Sequence, residues 1–180
     1  EMSGALKTTA VSLTKISNDI RWLASGPRCG LGEIQIPSLQ PGSSIMPGKV
    51  NPVIPESVLQ IAAQVMGNDL TITLAGQGGN FELNAMMPVI AYNLLQSISI
   101  LSIGARSLAE KCILGIKADK EKCAFYLDKR LALATYLVPR LGYDRSAAIS
   151  KKDHASGTRI ADVVLEEGLL TEEELSKLFR

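Results

Sequence analysis

Between Glu82 and Arg106 the chain carries no Asp, Glu, Lys, Arg or His. A run of that length is long enough to cross a hydrocarbon layer as a helix. It also contains Asn84, Pro88, Asn93, Gln96, Ser97, Ser99 and Ser102, and no basic cluster flanks it. The membrane reading therefore loses to a soluble helix covered on nearly all sides. A chain of 180 residues has little of its own with which to cover such a helix. Helices from other subunits are the expected cover. This points to an all-α fold with long central helices in a bundle. A composition that is 46% hydrophobic but only 4% aromatic agrees, because cores rich in Leu, Ile, Val and Ala suit close-packed helices.

Periodicity fills in the rest. Leu6, Ala10, Leu13, Ile16, Ile20, Leu23 and Ala24 recur at spacings of three and four, the stripe of a long helix that Ser25-Gly26-Pro27 stops. The chain opens at Glu1-Met2-Ser3 already in this pattern and shows no signal segment, so residue 1 is expected to lie inside a longer protein. Residues 27 to 56 read as a long loop, which in a compact domain is usually functional. Ser57 with Gln60 is expected to cap the next helix, burying Leu59, Ala62, Val65, Met66 and Leu70. Gly76-Gln77-Gly78-Gly79 ends it. That segment lacks the G-K-[ST] ending of a phosphate loop, so it is read as a turn. A second long helix is predicted from Asn80 to about Leu114, bent near Pro88.

After Gly115 the pattern changes to short capped amphipathic helices. Asp119 can cap one, Pro139 and Gly142 interrupt the next, and Asp144 starts another toward Gly157. Thr158 to Glu167 is a further helix, and Thr171 with Glu174 forms a capping box before the last. The expected division is a bundle portion, 1–116, and a small C-terminal helical domain, 117–180.

Charge and special residues exclude several functions. A net charge of +1 gives no nucleic-acid footprint. Cys29, Cys112 and Cys123 form no C-x-x-C pair, which argues against a disulfide framework or a zinc site and for a reducing compartment. His154 is the sole histidine, so a histidine-rich metal site cannot be built within one chain. It is read as a solvated helix residue.

The segment with chemical content is Gly42-Ser43-Ser44-Ile45-Met46-Pro47-Gly48-Lys49-Val50-Asn51-Pro52. Its glycines and prolines exclude a regular helix or strand. Hydroxyls, an ammonium, an amide and free backbone N–H groups together suit an anion such as a carboxylate or phosphate. Ser43 or Ser44 would need a nearby base or a nest of N–H donors to favour an alkoxide; the bland alternative is a polar turn. Lys49 can hold a carboxylate or simply be solvated. Asn51 can donate to a carboxylate, or start a turn before Pro52. Glu56 is either a favourable charge at a helix N-terminus or a carboxylate orienting a base from elsewhere. Arg21 and Arg28 could meet anions, but isolated arginines are common on surfaces.

This segment resembles the signature loop of the fumarase/aspartase superfamily. Ser3-Gly4-Ala5-Leu6-Lys7-Thr8-Thr9-Ala10, Asn18-Asp19-Ile20-Arg21, Ser25-Gly26-Pro27-Arg28-Cys29-Gly30-Leu31, Gln64-Val65-Met66-Gly67-Asn68-Asp69 and Gly79-Asn80-Phe81-Glu82-Leu83-Asn84 are similar to class II fumarate hydratases. So are Ile116, Leu141-Gly142-Tyr143-Asp144 and Gly168-Leu169-Leu170-Thr171, so the likeness covers essentially the whole chain. Gly48 and Asn80-Phe81-Glu82-Leu83-Asn84 favour the hydratase over aspartate ammonia-lyase, the alternative within the superfamily.

The resemblance implies reversible hydration of fumarate to L-malate through a carbanion stabilised as an aci-carboxylate. It needs no metal or organic cofactor and takes place in a homotetramer whose sites are shared between subunits. Ser43 would be the base, Ser44, Lys49, Val50 and Asn51 the substrate-binding residues, and Glu56 the partner of a histidine on a neighbouring subunit. His154 does not match that histidine. Family enzymes are much longer, so the chain is expected to supply one wall of the site, to need the N-terminal portion, and to be inactive alone. The implied enzyme is cytoplasmic, or of the mitochondrial matrix in a eukaryote. A non-catalytic helical assembly module is the reading from another class.

Overall fold

A computed structural model of the chain describes residues 1–179. It divides into two compact units, Glu1–Asp119 and the residues from Lys120 onward. The first unit is built on three long helices: α1 (Met2–Leu23), α2 (Val53–Gln77) and α3 (Met87–Lys111).

The stripe predicted for α1 is largely the face it buries. Ala10 and Ile20 are buried, Leu6 and Leu13 pack beside them, and only Ile16 lies well toward solvent, 43% exposed. Ala10 meets Ala62, Val65 and Leu101, while Ile20 meets Val58, Leu108 and Cys112, so the three helices share two apolar clusters. Small residues allow close approach. A Cβ added to Gly104 of α3 would lie 2.8 Å from Ile61 Cδ1 of α2. Beyond the Ala10–Leu101 cluster, on the side away from the Ile20 cluster, sits a polar layer. The buried Asn68 Nδ2 faces Gln96 Oε1 at 2.9 Å and Ser97 Oγ at 3.0 Å, and Gln64 donates to Asn68 Oδ1 at 2.8 Å. Full pairing makes burial of this amide tolerable. Nearby, Asp69 accepts from both Ser3 Oγ and Lys7 Nζ at 2.6 Å. These donors hold its carboxyl below the usual carboxylate range, the Lys7 hydrogen bond contributing most.

Three sequence expectations are corrected here. Helix α2 begins at Val53, four residues before Ser57, with Pro52 at its N-cap. First-turn N–H groups have no intrahelical acceptor, so Pro52 and Pro55 cost nothing there and the loop is shorter than expected. Leu70 is 60% exposed, because the buried face of α2 passes instead to Asn68, Asp69 and Ala75. Helix α3 begins at Met87, with Pro88 in its first turn, so no kink is needed. Asn80 to Met86 is a tight reversal instead. Asn80 and Leu83 exchange backbone hydrogen bonds, and Asn84 Nδ2 donates to Ala75 O, satisfying a carbonyl at the end of α2.

Helix α3 has the length and apolarity of a membrane-crossing segment. Within this chain it is not covered on nearly all sides. Asn93, Ser97, Leu101, Gly104 and Leu108 face the other helices, whereas Tyr92 and Leu95 are each 65% exposed and Ile103 62%. The three-helix unit covers one face only.

Strands β1 (Ile34–Gln35) and β2 (Lys117–Ala118) pair antiparallel, Ile34 opposite Ala118, and Asp119 N donates to Glu33 O at 2.8 Å. This pairing ties residues 117–119 to the first unit, so the boundary falls after Asp119 rather than at 116.

The second unit comprises α4 (Lys120–Asp128), α5 (Ala134–Leu141), α6 (Tyr143–Ser156), α7 (Ile160–Glu166) and α8 (Glu172–Leu178). Leu137, Ile149, Ile160, Val163, Val164 and Leu175 form its core. Pro139 lies inside α5 rather than ending it. The helix is short, and Gly142 N closes its last turn on Val138 O at 2.9 Å. Gly157, at φ +69°, ends α6 in the left-handed conformation that glycine adopts freely. The Thr171–Glu174 capping box is formed as the sequence indicates.

Candidate active site

The loop from Gly42 to Pro52 is held closed by its own backbone. Gly42 N donates to Lys49 O at 2.8 Å, and Asn51 Nδ2 donates to Gly42 O at 2.8 Å. Gly42 has to be glycine for this approach, since a Cβ there would lie 2.4 Å from Lys49 O. Gly48, at φ +78°, makes the return turn.

Closure places two N–H groups on one hydroxyl. Ser43 Oγ accepts from the backbone N of Ile45 and of Met46, each at 3.1 Å. This is the nest of donors that a serine oxygen needs if it is to carry negative charge. Ser43, Met46, Lys49 and Val50 line an open concavity of about 390 Å³ together with Gln40. Lys49 is exposed and makes no ion pair among the described residues. A cation and a hydroxyl that accepts two N–H groups therefore share one basin, an arrangement suited to an anionic ligand.

The remaining predicted residues stand apart. Ser44 is exposed and does not line the basin. Asn51 spends one amide donor on Gly42 O, so its first contribution is to shape the loop. Glu56 lies in the first turn of α2, where Arg21 Nη2 of α1 faces its Oε1 at 3.8 Å. Sequence reasoning passed over Gly42 as a fixed contact and Arg21 as a partner of Glu56. A glycine followed by two serines hinted at the first; nothing local signals a pairing across 35 positions. His154 is exposed on α6 in the second unit. Among the described residues no group of three or more His, Cys, Asp or Glu is placed to hold a metal. Cys29 is exposed and Cys112 buried, and burial pushes the Cys112 thiol up.

Residues 1–67 match the family described as Lyase, and residues 133–180 match Fumarase C C-terminus. The chain is 54% identical to the class II fumarate hydratase of Neisseria meningitidis over 176 residues, covering 98% of this chain and 38% of that one. It is 48% identical to an aspartate ammonia-lyase from Bacillus sp, covering 99% of this chain and 38% of the relative. The crystal structure of class II fumarase from Schistosoma mansoni superposes with a TM-score of 0.92 at 40% identity, covering 99% of this chain and 37% of that one.

The chain belongs to the fumarase/aspartase superfamily of lyases. Within it, the chain matches the C-terminal part of the class II fumarate hydratases, and it spans less than two fifths (38%) of their length.

Proposed function

We propose that this chain supplies the base-bearing wall of a fumarate hydratase, which interconverts fumarate and L-malate. The observation that carries the reading is the Ser43 hydroxyl held by two N–H donors in the basin that Lys49 also lines. In the dehydration direction Ser43 Oγ takes a proton from the carbon beside one carboxylate of malate. The electron pair left on carbon moves into that carboxylate, giving an aci-carboxylate. Lys49 supplies the opposite charge beside Val50, whose N–H can join it; Ser44 and the second Asn51 amide hydrogen, which stand outside the basin within this chain, would complete the carboxylate contacts in the assembled site. The pair then re-forms as the double bond while the hydroxyl on the adjacent carbon leaves as water, with a proton from an acid outside this chain. Glu56 orients a histidine of a neighbouring subunit, and the exposed face of α3 packs against other copies in a tetramer. The enzyme is soluble and works in the cytoplasm.

Ammonia release from aspartate is the second reading, favoured by the 48% identity to an ammonia-lyase. Gly48 and Asn80-Phe81-Glu82-Leu83-Asn84 favour the hydratase. The test joins this chain in frame behind the N-terminal part of the Neisseria meningitidis relative, an assembled enzyme used throughout the experiments below. Fumarate formation is followed with malate and with aspartate. Malate is expected to react and aspartate not, and the chain alone is expected to be inactive. Turnover of aspartate in preference to malate would overturn the assignment.

A further inference from the structure

Glu56 is held from one side by Arg21. Arg21 is anchored before it reaches Glu56: its Nη1 donates to Asn18 Oδ1 at 3.1 Å, and its Nε is buried without a hydrogen-bond partner among the described residues. Only the forked tip emerges, and Nη2 faces Glu56 Oε1 at 3.8 Å. Glu56 is fixed through its backbone, whose N donates to Pro52 O at 3.0 Å at the exit of the signature loop. No other described cation lies within ion-pair distance of Glu56, and its Oε2 is left open to a donor from outside the chain. Both side chains are 39% exposed, so the contact contributes little to folding stability. Its geometry is better explained by orientation than by stability.

We infer that Arg21, anchored by Asn18, is a positioning residue for the reaction. It keeps one oxygen of Glu56 engaged, so that the other oxygen faces the histidine of the neighbouring subunit proposed above. The inference rests on the proposed role of Glu56. Arg21 does not line the substrate basin, so its loss must act on kcat and not on substrate affinity.

In the assembled enzyme, R21M is expected to lower kcat for malate about tenfold to a hundredfold, with KM changed less than about twofold. The contact is one of charge at 3.8 Å rather than a bidentate fork, so R21K recovers most of the rate. E56Q alone also lowers kcat, and adding R21M to E56Q costs less than about a further twofold, because Arg21 acts only through Glu56. A purely structural arginine would give additive losses. Should R21M fail to assemble, N18A provides the same test, since it frees Arg21 while leaving the charge; its smaller loss must likewise vanish on the E56Q background. An R21M enzyme as active as its parent, or additive losses, would overturn the inference alone. An inactive parent, or a fully active E56Q, would overturn the functional reading beneath it and the inference with it.

Discussion

Replacing Gly42 by alanine should separate catalysis from folding. The added Cβ would lie 2.4 Å from Lys49 O and 2.7 Å from Lys49 C, both backbone atoms that cannot swing aside. Ordinary contact requires the strands of the loop to part by about 1 Å. The Gly42 N to Lys49 O bond, now 2.8 Å, would then exceed hydrogen-bond range, and the Asn51 bond to Gly42 O, also 2.8 Å, would be strained with it. The basin shared by Ser43 and Lys49 would lose its geometry. A displacement of that size costs about a hundredfold in rate. Global stability should fall by no more than about 1–2 kcal/mol, because the lost bonds belong to an exposed loop outside both apolar clusters of the helical unit. The assay is malate dehydration by the assembled enzyme, paired with thermal unfolding by circular dichroism. An unstrained Gly→Ala change would instead stabilise by about 0.4–1 kcal/mol. A G42A enzyme that melts higher and retains full activity would refute the closed-loop argument.

Further predictions concern the scaffold. Lys7→Met removes the main donor to Asp69 and should destabilise the first unit by about 1.5–2 kcal/mol near neutral pH. Because the folded carboxyl lies below its ordinary 3.8, that stabilisation is fully present above 3.8 and is lost as pH falls through the folded value. K7M should therefore flatten the acid limb of the stability profile, as read by urea unfolding at several pH values. Leu137, fully buried in the second unit, should cost about 3–5 kcal/mol when cut to alanine, read as early proteolysis beyond Lys120. Leu95→Glu, on the exposed face of α3, should disperse the oligomer in sedimentation analysis while leaving helix content intact.

Much of this was legible in the residues. The α1 stripe, the Thr171–Glu174 box and the Gly157 stop are local signals, satisfied within a few residues, and local signals survive folding. The boundaries at Ser57, Asn80 and Pro139 misled because a proline's cost depends on its place in the helix, and the sequence does not state that place. The signature loop revealed its chemical inventory but not its closure. Gly42 meets Lys49 and Asn51 across the turn, so Asn51 serves the loop's shape as well as any substrate. The contact of Arg21 with Glu56 joins two helices far apart in sequence, and only the packing of α1 against α2 reveals it.

The central claim is that Ser43 takes the proton. The direct test is Ser43→Ala in the assembled enzyme, with malate turnover and oligomeric state measured on the same preparation. The account predicts at least about a thousandfold loss of kcat, the upper range for removing an essential base and its supported oxyanion, with assembly and melting temperature unchanged. An S43A enzyme that assembles and turns over malate within about tenfold of its parent would contradict it.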